Sequence, residues 1–138
     1  MSRFQRKFYV DENLIPTVAD ALSQVYRRDW FGTPAREGLQ GGVKDLDLFE
    51  DLQARDYSAI ITMDAHQLED DSERTALASC GLHWIGFSMS GLVGPDALAR
   101  QTAIVLAGLP FVIASWRQEP TAYRIPNLRS DQMRVEPL

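Results

Sequence analysis

Two periodicities divide the chain. Lys7-Phe-Tyr-Val10 is a short aromatic and β-branched run that stops at the polar Asp11-Glu-Asn13, which predicts a buried strand ending in a turn. Pro16 then suits the first turn of a helix, and Ile15, Val18, Ala19, Leu22, Val25 and Tyr26 recur at helical spacing. Arg28-Asp-Trp-Phe31 reads as a brief second strand. The segment from Gly32 to Gly42, with five Gly or Pro, reads as a loop. A helix is predicted from Asp45, with Leu48, Phe49 and Leu52 as its apolar stripe and Arg55 four positions after Asp51 as a surface pair. Ala59-Ile-Ile-Thr-Met63 has no charge and fits a strand covered on both faces. A helix over residues 69–79 closed by Gly81, and a strand over Leu82–Phe87, follow. Gly94-Pro-Asp opens a long helix through Leu98, Thr102, Val105 and Leu109, which Pro110 is expected to interrupt; Phe111 to Trp116 fits either a short helix or a strand. Ala122-Tyr-Arg-Ile125 reads as the final strand, and the last dozen residues as polar and mobile.

Strands alternating with helices predict a single three-layer α/β/α sandwich over residues 1–138, with a mostly parallel central sheet. Composition agrees: 138 residues, 45% hydrophobic and 24% charged, suffice for a core without disulfides or structural metal. The single cysteine, Cys80, excludes an internal disulfide and any multi-cysteine metal site, and it is expected to be a buried small apolar residue. A reducing, cytoplasmic setting fits that usage. No uninterrupted apolar run approaches the ~20 residues of a membrane span, and the basic start at Met1–Lys7 leads into too few apolar residues for a signal-peptide core, so no membrane partner is expected.

Charge changes the picture more. The formal net charge is −5, which argues against passive attraction to nucleic acid, but residues 45–73 hold ten acids against Arg55 alone, whereas residues 97–138 hold five arginines and three acids. Asp11 and Asp64 each sit just past the carboxyl end of a predicted strand, the edge at which open parallel sheets bind ligands. If those strands are neighbours, the two carboxylates converge. Asp45 lies three, four and seven positions before Leu48, Phe49 and Leu52, which turns its side chain into the fold. Three inward carboxylates repel one another unless a cation joins them, and Mg²⁺ or Mn²⁺ suits oxygen ligands that must leave room for a phosphate. The structural alternative is that Asp45 is an N-cap and Asp11 a turn acid.

Phe8-Tyr-Val-Asp-Glu-Asn-Leu-Ile-Pro16, Gly42-Val-Lys-Asp45 opening a helix, and Ile60-Ile-Thr-Met-Asp64 occur in that order. Together they resemble the PIN-like domains that begin with a "VDENL.P" strand and end their core with "T.D", a group placed with the VapC-like toxins of toxin–antitoxin pairs. The resemblance spans residues 7 to 87. It implies a metal-dependent endoribonuclease with Asp11, Asp45 and Asp64 as catalytic and metal-binding acids and Asn13 and Thr62 in support. RNA would be the substrate and a cognate antitoxin the protein partner; a homodimer is open, since many PIN proteins are dimers and no interface is legible here. Similar proteins commonly carry another acid two positions past the "T.D" aspartate. Here His66 stands there, a supporting group that can ligate Mn²⁺ or hold a water but is a poor Mg²⁺ ligand, so either the missing acid comes from the Glu69–Glu73 stretch or the site is weakened and the domain acts by binding a protein.

Other features carry less. Asp47, Glu50 and Asp51 fall off the apolar stripe and read as a solvated face, and Glu12 as an outer group at most. Glu69–Glu73 reads first as the acidic opening turn of a helix. His83 is expected to be packed, and Ser88-Met-Ser-Gly91 lacks a nucleophile elbow. Gly91–Gly94 is too short for a phosphate loop. Arg117 and Arg124 are candidate RNA contacts, with Arg129 and Arg134 as further positive charge; Trp116 and Tyr123 could stack on a base but are better assigned to packing. A phosphoacceptor receiver domain shares the acidic layout but needs a lysine after a late strand, and the lysines here are Lys7 and Lys44.

Overall fold

The computed structural model describes residues 3–40, 42–88, 94–127 and 133–138. The elements run β1 (Lys7–Val10), α1 (Pro16–Val25), β2 (Trp30–Gly32), α2 (Pro34–Glu37), α3 (Asp45–Ala54), β3 (Ala59–Thr62), α4 (His66–Glu69), α5 (Asp71–Ser79), β4 (His83–Gly86), α6 (Gly94–Ala114) and β5 (Ala122–Arg124). Among the described residues five strands form one sheet in the order β2-β1-β3-β4-β5, with every pairing parallel.

Alternation along the strands builds the two halves of the core. Phe8, Val10, Ala59, Ile61 and Ile85 face α1 and α6, meeting Val18, Leu22, Ile104, Val105 and Leu109. Tyr9, Ile60 and Trp84 face the other way, onto Leu48, Phe49, Leu52 and Leu77 of α3 and α5. With both faces covered, the strands read as nearly continuous apolar runs, as expected of a parallel sheet. The steps from β3 to β4 and from β4 to β5 run the same way across the sheet, one through α5 and the other through α6 on the opposite face. Their crossovers therefore have opposite hands, and α6 forms the exception to the hand shared by the other three.

Three expectations are corrected. The 32–42 segment contains α2, because its turn residues act as caps: the Thr33 hydroxyl accepts from the Arg36 amide, Pro34 opens the helix, and Gly38 closes it at φ 68°, where a side chain would be strained. The predicted 69–79 helix is α5 and starts only at Asp71, because a separate short helix, α4, ends at Glu69 and Asp70 between them accepts from the Glu73 amide as the N-cap of α5.

Most markedly, α6 runs unbroken through Pro110 to Ala114. Proline removes the amide that would bond the Leu106 carbonyl, and the Tyr26 hydroxyl donates to that carbonyl instead, at 3.2 Å. At 21 residues, α6 is by length and composition apolar enough to cross a bilayer, which counting uninterrupted apolar residues did not reveal. It packs on α1 and the sheet through Ile104, Val105, Leu109 and Val112.

Candidate functional site

The strand order reverses between β1 and β3: β1 leads outward to β2, and the chain then returns past β1 to β3. At such a point the two connections diverge and leave a crevice beyond the carboxyl ends of the strands. Asp11 follows β1 there, its amide donating to the Ile61 carbonyl, so it stands level with Thr62 at the end of β3.

Thr62 is the node of this corner and is fully buried. Its hydroxyl donates to Asp11 Oδ2 at 2.8 Å and accepts from the Asn13 side-chain amide and the Asp64 backbone amide, each at 3.0 Å. One donor and two acceptor sites are thus all used. Asn13 Oδ1 accepts from the Met63 amide, closing the link between the two strand ends. Asp11 Oδ1 accepts from the Glu12 amide. Burial raises the Asp11 carboxyl above its ordinary range, opposed by the bonds from Thr62 and Glu12, with the Asp45 charge pushing the same way as burial. The convergence expected of Asp11 and Asp64 is thus met at the level of a shared threonine. Asp64 Oδ1 turns to accept from the His66 amide, opening α4.

Asp45 comes in on the first residue of α3, whose amino end faces the same edge. It borders two spaces. One is a cleft of about 20 Å³ shared with Tyr9, Asp11, Glu12 and Leu48, large enough for a single water-sized group. The other is an open groove of about 420 Å³ that also takes in Lys44, His66, Asp70, Ser72 and Glu73. The first turn of α5 carries Glu73 against Asp45. A hydrogen bond shared with the Asp45 carboxyl, and then burial, push Glu73 up to about 7. When both are ionised neither can donate, and Glu73 Oε2 is buried without a hydrogen-bond donor among the described residues. A proton or a cation satisfies that oxygen. His66 Nε2 lies 4.0 Å from it, and ligand atoms of His66, Asp70 and Glu73 all fall within 4.8 Å of one another.

The candidate acids therefore gather at one edge but divide into two linked sets. Asp11 and Asp64 are joined through Thr62, and Asp45 connects that corner to Glu73, Asp70 and His66. Asp11, Asp45 and Asp64 do not themselves form a three-ligand set of that tightness among the described residues, because Asp11 and Asp64 are turned toward backbone and hydroxyl donors. The carboxylates and one imidazole make a donor set that fits a divalent cation, and the donorless Glu73 oxygen is where it would be most needed. Glu73 and Asp70 come from the acidic stretch held in reserve for the missing acid; what singles them out is the packing of α3 against α5, which composition does not show.

The remaining candidates separate by edge. Arg124 ends β5 on the carboxyl side, level with Gly86, while Arg117 lies in the connection that enters β5 from the opposite edge. There its amide donates to the Tyr123 hydroxyl. Trp116 and Tyr123 stack on each other beside buried His83, whose Nδ1 accepts from the Thr121 amide, so both rings pack as expected. Glu12 accepts from the Gly42 amide and ties down the loop before α3. Cys80 is buried and free. Arg134 is exposed; Arg129, Met89–Gly91 and most of Gly91–Gly94 lie outside the described residues.

Neither the curated proteins nor the solved structures offer a match to this chain. A family profile described as "PIN like domain" matches residues 6–89, from the start of β1 to just past β4, and so encloses every acid of the site. PIN-like domains are commonly nucleases, and the all-parallel sheet with its acidic carboxyl edge accords with that nuclease-type fold: the chain belongs to the PIN-like domain family.

Proposed function

We propose that this protein is a metal-dependent endoribonuclease that hydrolyses RNA phosphodiesters, and that it is the toxin of a toxin–antitoxin pair. The observation that carries the enzymatic reading is the meeting of acids from β1, α3, β3 and α5 at the β1/β3 reversal, where Glu73 keeps a buried oxygen without a donor. Asp45, Asp70 and Glu73, with His66, would hold Mg²⁺ or Mn²⁺ on the α3–α5 side, while Asp11 and Asp64 sit at the strand ends of the same edge. The imidazole favours Mn²⁺. When bound, the cation supplies charge stabilisation to the phosphoryl oxygens and a more acidic water. The chain's own part is positional: Thr62 and Asn13 hold the strand-end acids, and the amino ends of α3 and α5 favour the negative charge there.

The test is cleavage of a single-stranded RNA by the purified chain with Mg²⁺ or Mn²⁺. Products should appear with metal, vanish in EDTA, and be lost in Asp45→Asn and Asp64→Asn. A folded protein inactive with both metals overturns the reading and leaves the protein-binding alternative. The toxin assignment is tested in cells: expression should arrest growth, and a small protein encoded beside the chain should co-purify with it and relieve the arrest. A harmless, partner-free chain would refute it.

A further inference from the structure

Next to the acidic corner, on the same carboxyl edge, runs a second groove of about 320 Å³ whose character is opposite. Met63 and Ala65, the neighbours of Asp64, form its near wall; Trp84, Phe87, Arg124 and Asn127 stand further along, and among the described residues no acid lines it. The register sets Thr62, Gly86 and Arg124 side by side across β3, β4 and β5, so Arg124 stands two strand spacings, about 10 Å, from the threonine that holds Asp11 and Asp64.

Trp84 is the unusual member. It is only 3% exposed, and its indole Nε1 is buried with no hydrogen-bond partner among the described residues. An indole nitrogen can only donate, and a buried donor left unpaired is costly. Gly86 shows how the ring is accommodated: a Cβ there would lie 2.1 Å from the outer indole ring, so the absent side chain lets Trp84 lean over the carboxyl end of β4 into the groove wall. The Arg124 guanidinium carbon sits 5.7 Å from that ring's centroid, a cation–π contact that orients it, and Arg124 enters no ion pair among the described residues.

A cation, an unanswered N–H donor and apolar walls beside a candidate phosphodiester-cleaving edge match one ligand chemistry. We propose that this groove is the subsite for the nucleotide flanking the cleaved bond of a single-stranded RNA, with Arg124 on its phosphate and Trp84 Nε1 donating to an acceptor of its base or ribose. The subsite rests on the nuclease reading above. Phe87 and Met63 supply the apolar surface against which the base lies.

The test uses the full chain and a labelled single-stranded RNA oligonucleotide. Anisotropy is measured in EDTA, where no cleavage is expected, across a salt series; KM and kcat are measured with Mn²⁺. Arg124→Ala, at an exposed position, should weaken binding roughly tenfold and reduce the slope of log affinity against log salt by about 0.7. Trp84→Phe, which keeps an aromatic ring and removes the donor, should weaken binding several-fold, with folding verified by circular dichroism. Both should raise KM and leave kcat within about twofold. If the wild-type chain cleaves RNA and Arg124→Ala keeps its KM and salt slope, the subsite is wrong and the nuclease reading stands. A wild-type chain that neither binds nor cleaves RNA removes both.

Discussion

Thr62 does more for the site than any of the acids it holds, because one hydroxyl sets the positions of three groups. It donates to Asp11, accepts from Asn13 and receives the Asp64 amide, all within a fully buried side chain. Replacement by valine keeps shape and volume while leaving a buried carboxylate and two donors without their partner. Thr62→Val should therefore cost about 1–3 kcal/mol in urea unfolding, the range for unsatisfied buried groups, whereas a change within ~0.5 kcal/mol would show that the corner is held otherwise. Glu73 gives a second test at this scale. Its carboxyl titrates at about 7 in the fold against an ordinary 4.5, so the folded chain binds that proton more tightly than the unfolded chain does. The stability this contributes is fully present below about pH 4.5 and is lost as pH rises through about 7. In EDTA, the calorimetric Tm should fall across that window more steeply for the wild type than for Glu73→Gln; parallel profiles would refute the assignment. Asp11, Thr62 and Asp64 were legible in the sequence because strand ends of a parallel sheet share one edge. Glu73 was legible only as one of a reserve stretch of acids and Trp84 not at all: one is singled out by α3 meeting α5, the other by a missing side chain at Gly86.

At the scale of elements, α6 shows how a local rule yields to a tertiary contact. Proline ordinarily breaks a helix because it orphans a carbonyl four residues back and crowds it. Here the orphan is the Leu106 carbonyl, and the Tyr26 hydroxyl just beyond α1 donates to it. Burial, with the nearby Asp29 charge, raises the Tyr26 phenol, so it stays a donor throughout the ordinary pH range. Tyr26→Phe should destabilise the chain by about 1 kcal/mol. In a Pro110→Ala background the cost should shrink, since an alanine amide can take the same carbonyl, and a double-mutant cycle in urea measures the coupling. Purely additive effects would mean that the hydroxyl does not substitute for the lost helical bond. The same logic explains the Gly- and Pro-rich stretch before α3. Its turn residues are real signals, but they cap α2, whose Glu37 accepts from the Trp30 indole, the Tyr57 hydroxyl and Arg55. Those partners lie on other elements, and sequence periodicity sees only one element at a time.

For the whole molecule, the question is where the surplus of acids resides when no cation is bound. Of the ten acids between residues 45 and 73, several, such as Asp47 and Glu50, lie on the exposed side of α3, while Asp45, Asp70 and Glu73 crowd the groove between the amino ends of α3 and α5. Solvent screens the first group. The helix ends offset only part of the repulsion in the second, so a cation held there should stabilise the fold by ordinary linkage, independently of any activity. At a hundredfold excess over its dissociation constant, Mn²⁺ would contribute about 2.7 kcal/mol, which for a chain of this size raises Tm by roughly 10 °C. Glu73→Gln and Asp70→Asn should each remove most of that rise, and Asp47→Asn should keep it. Measured at matched ionic strength, a rise that survives Glu73→Gln would reveal diffuse screening of an acidic surface and not a bound ion. A rise that disappears would tie Asp45, Asp70 and Glu73 to one bound cation, and would explain how a chain of net charge −5 presents its acidic edge to a phosphate.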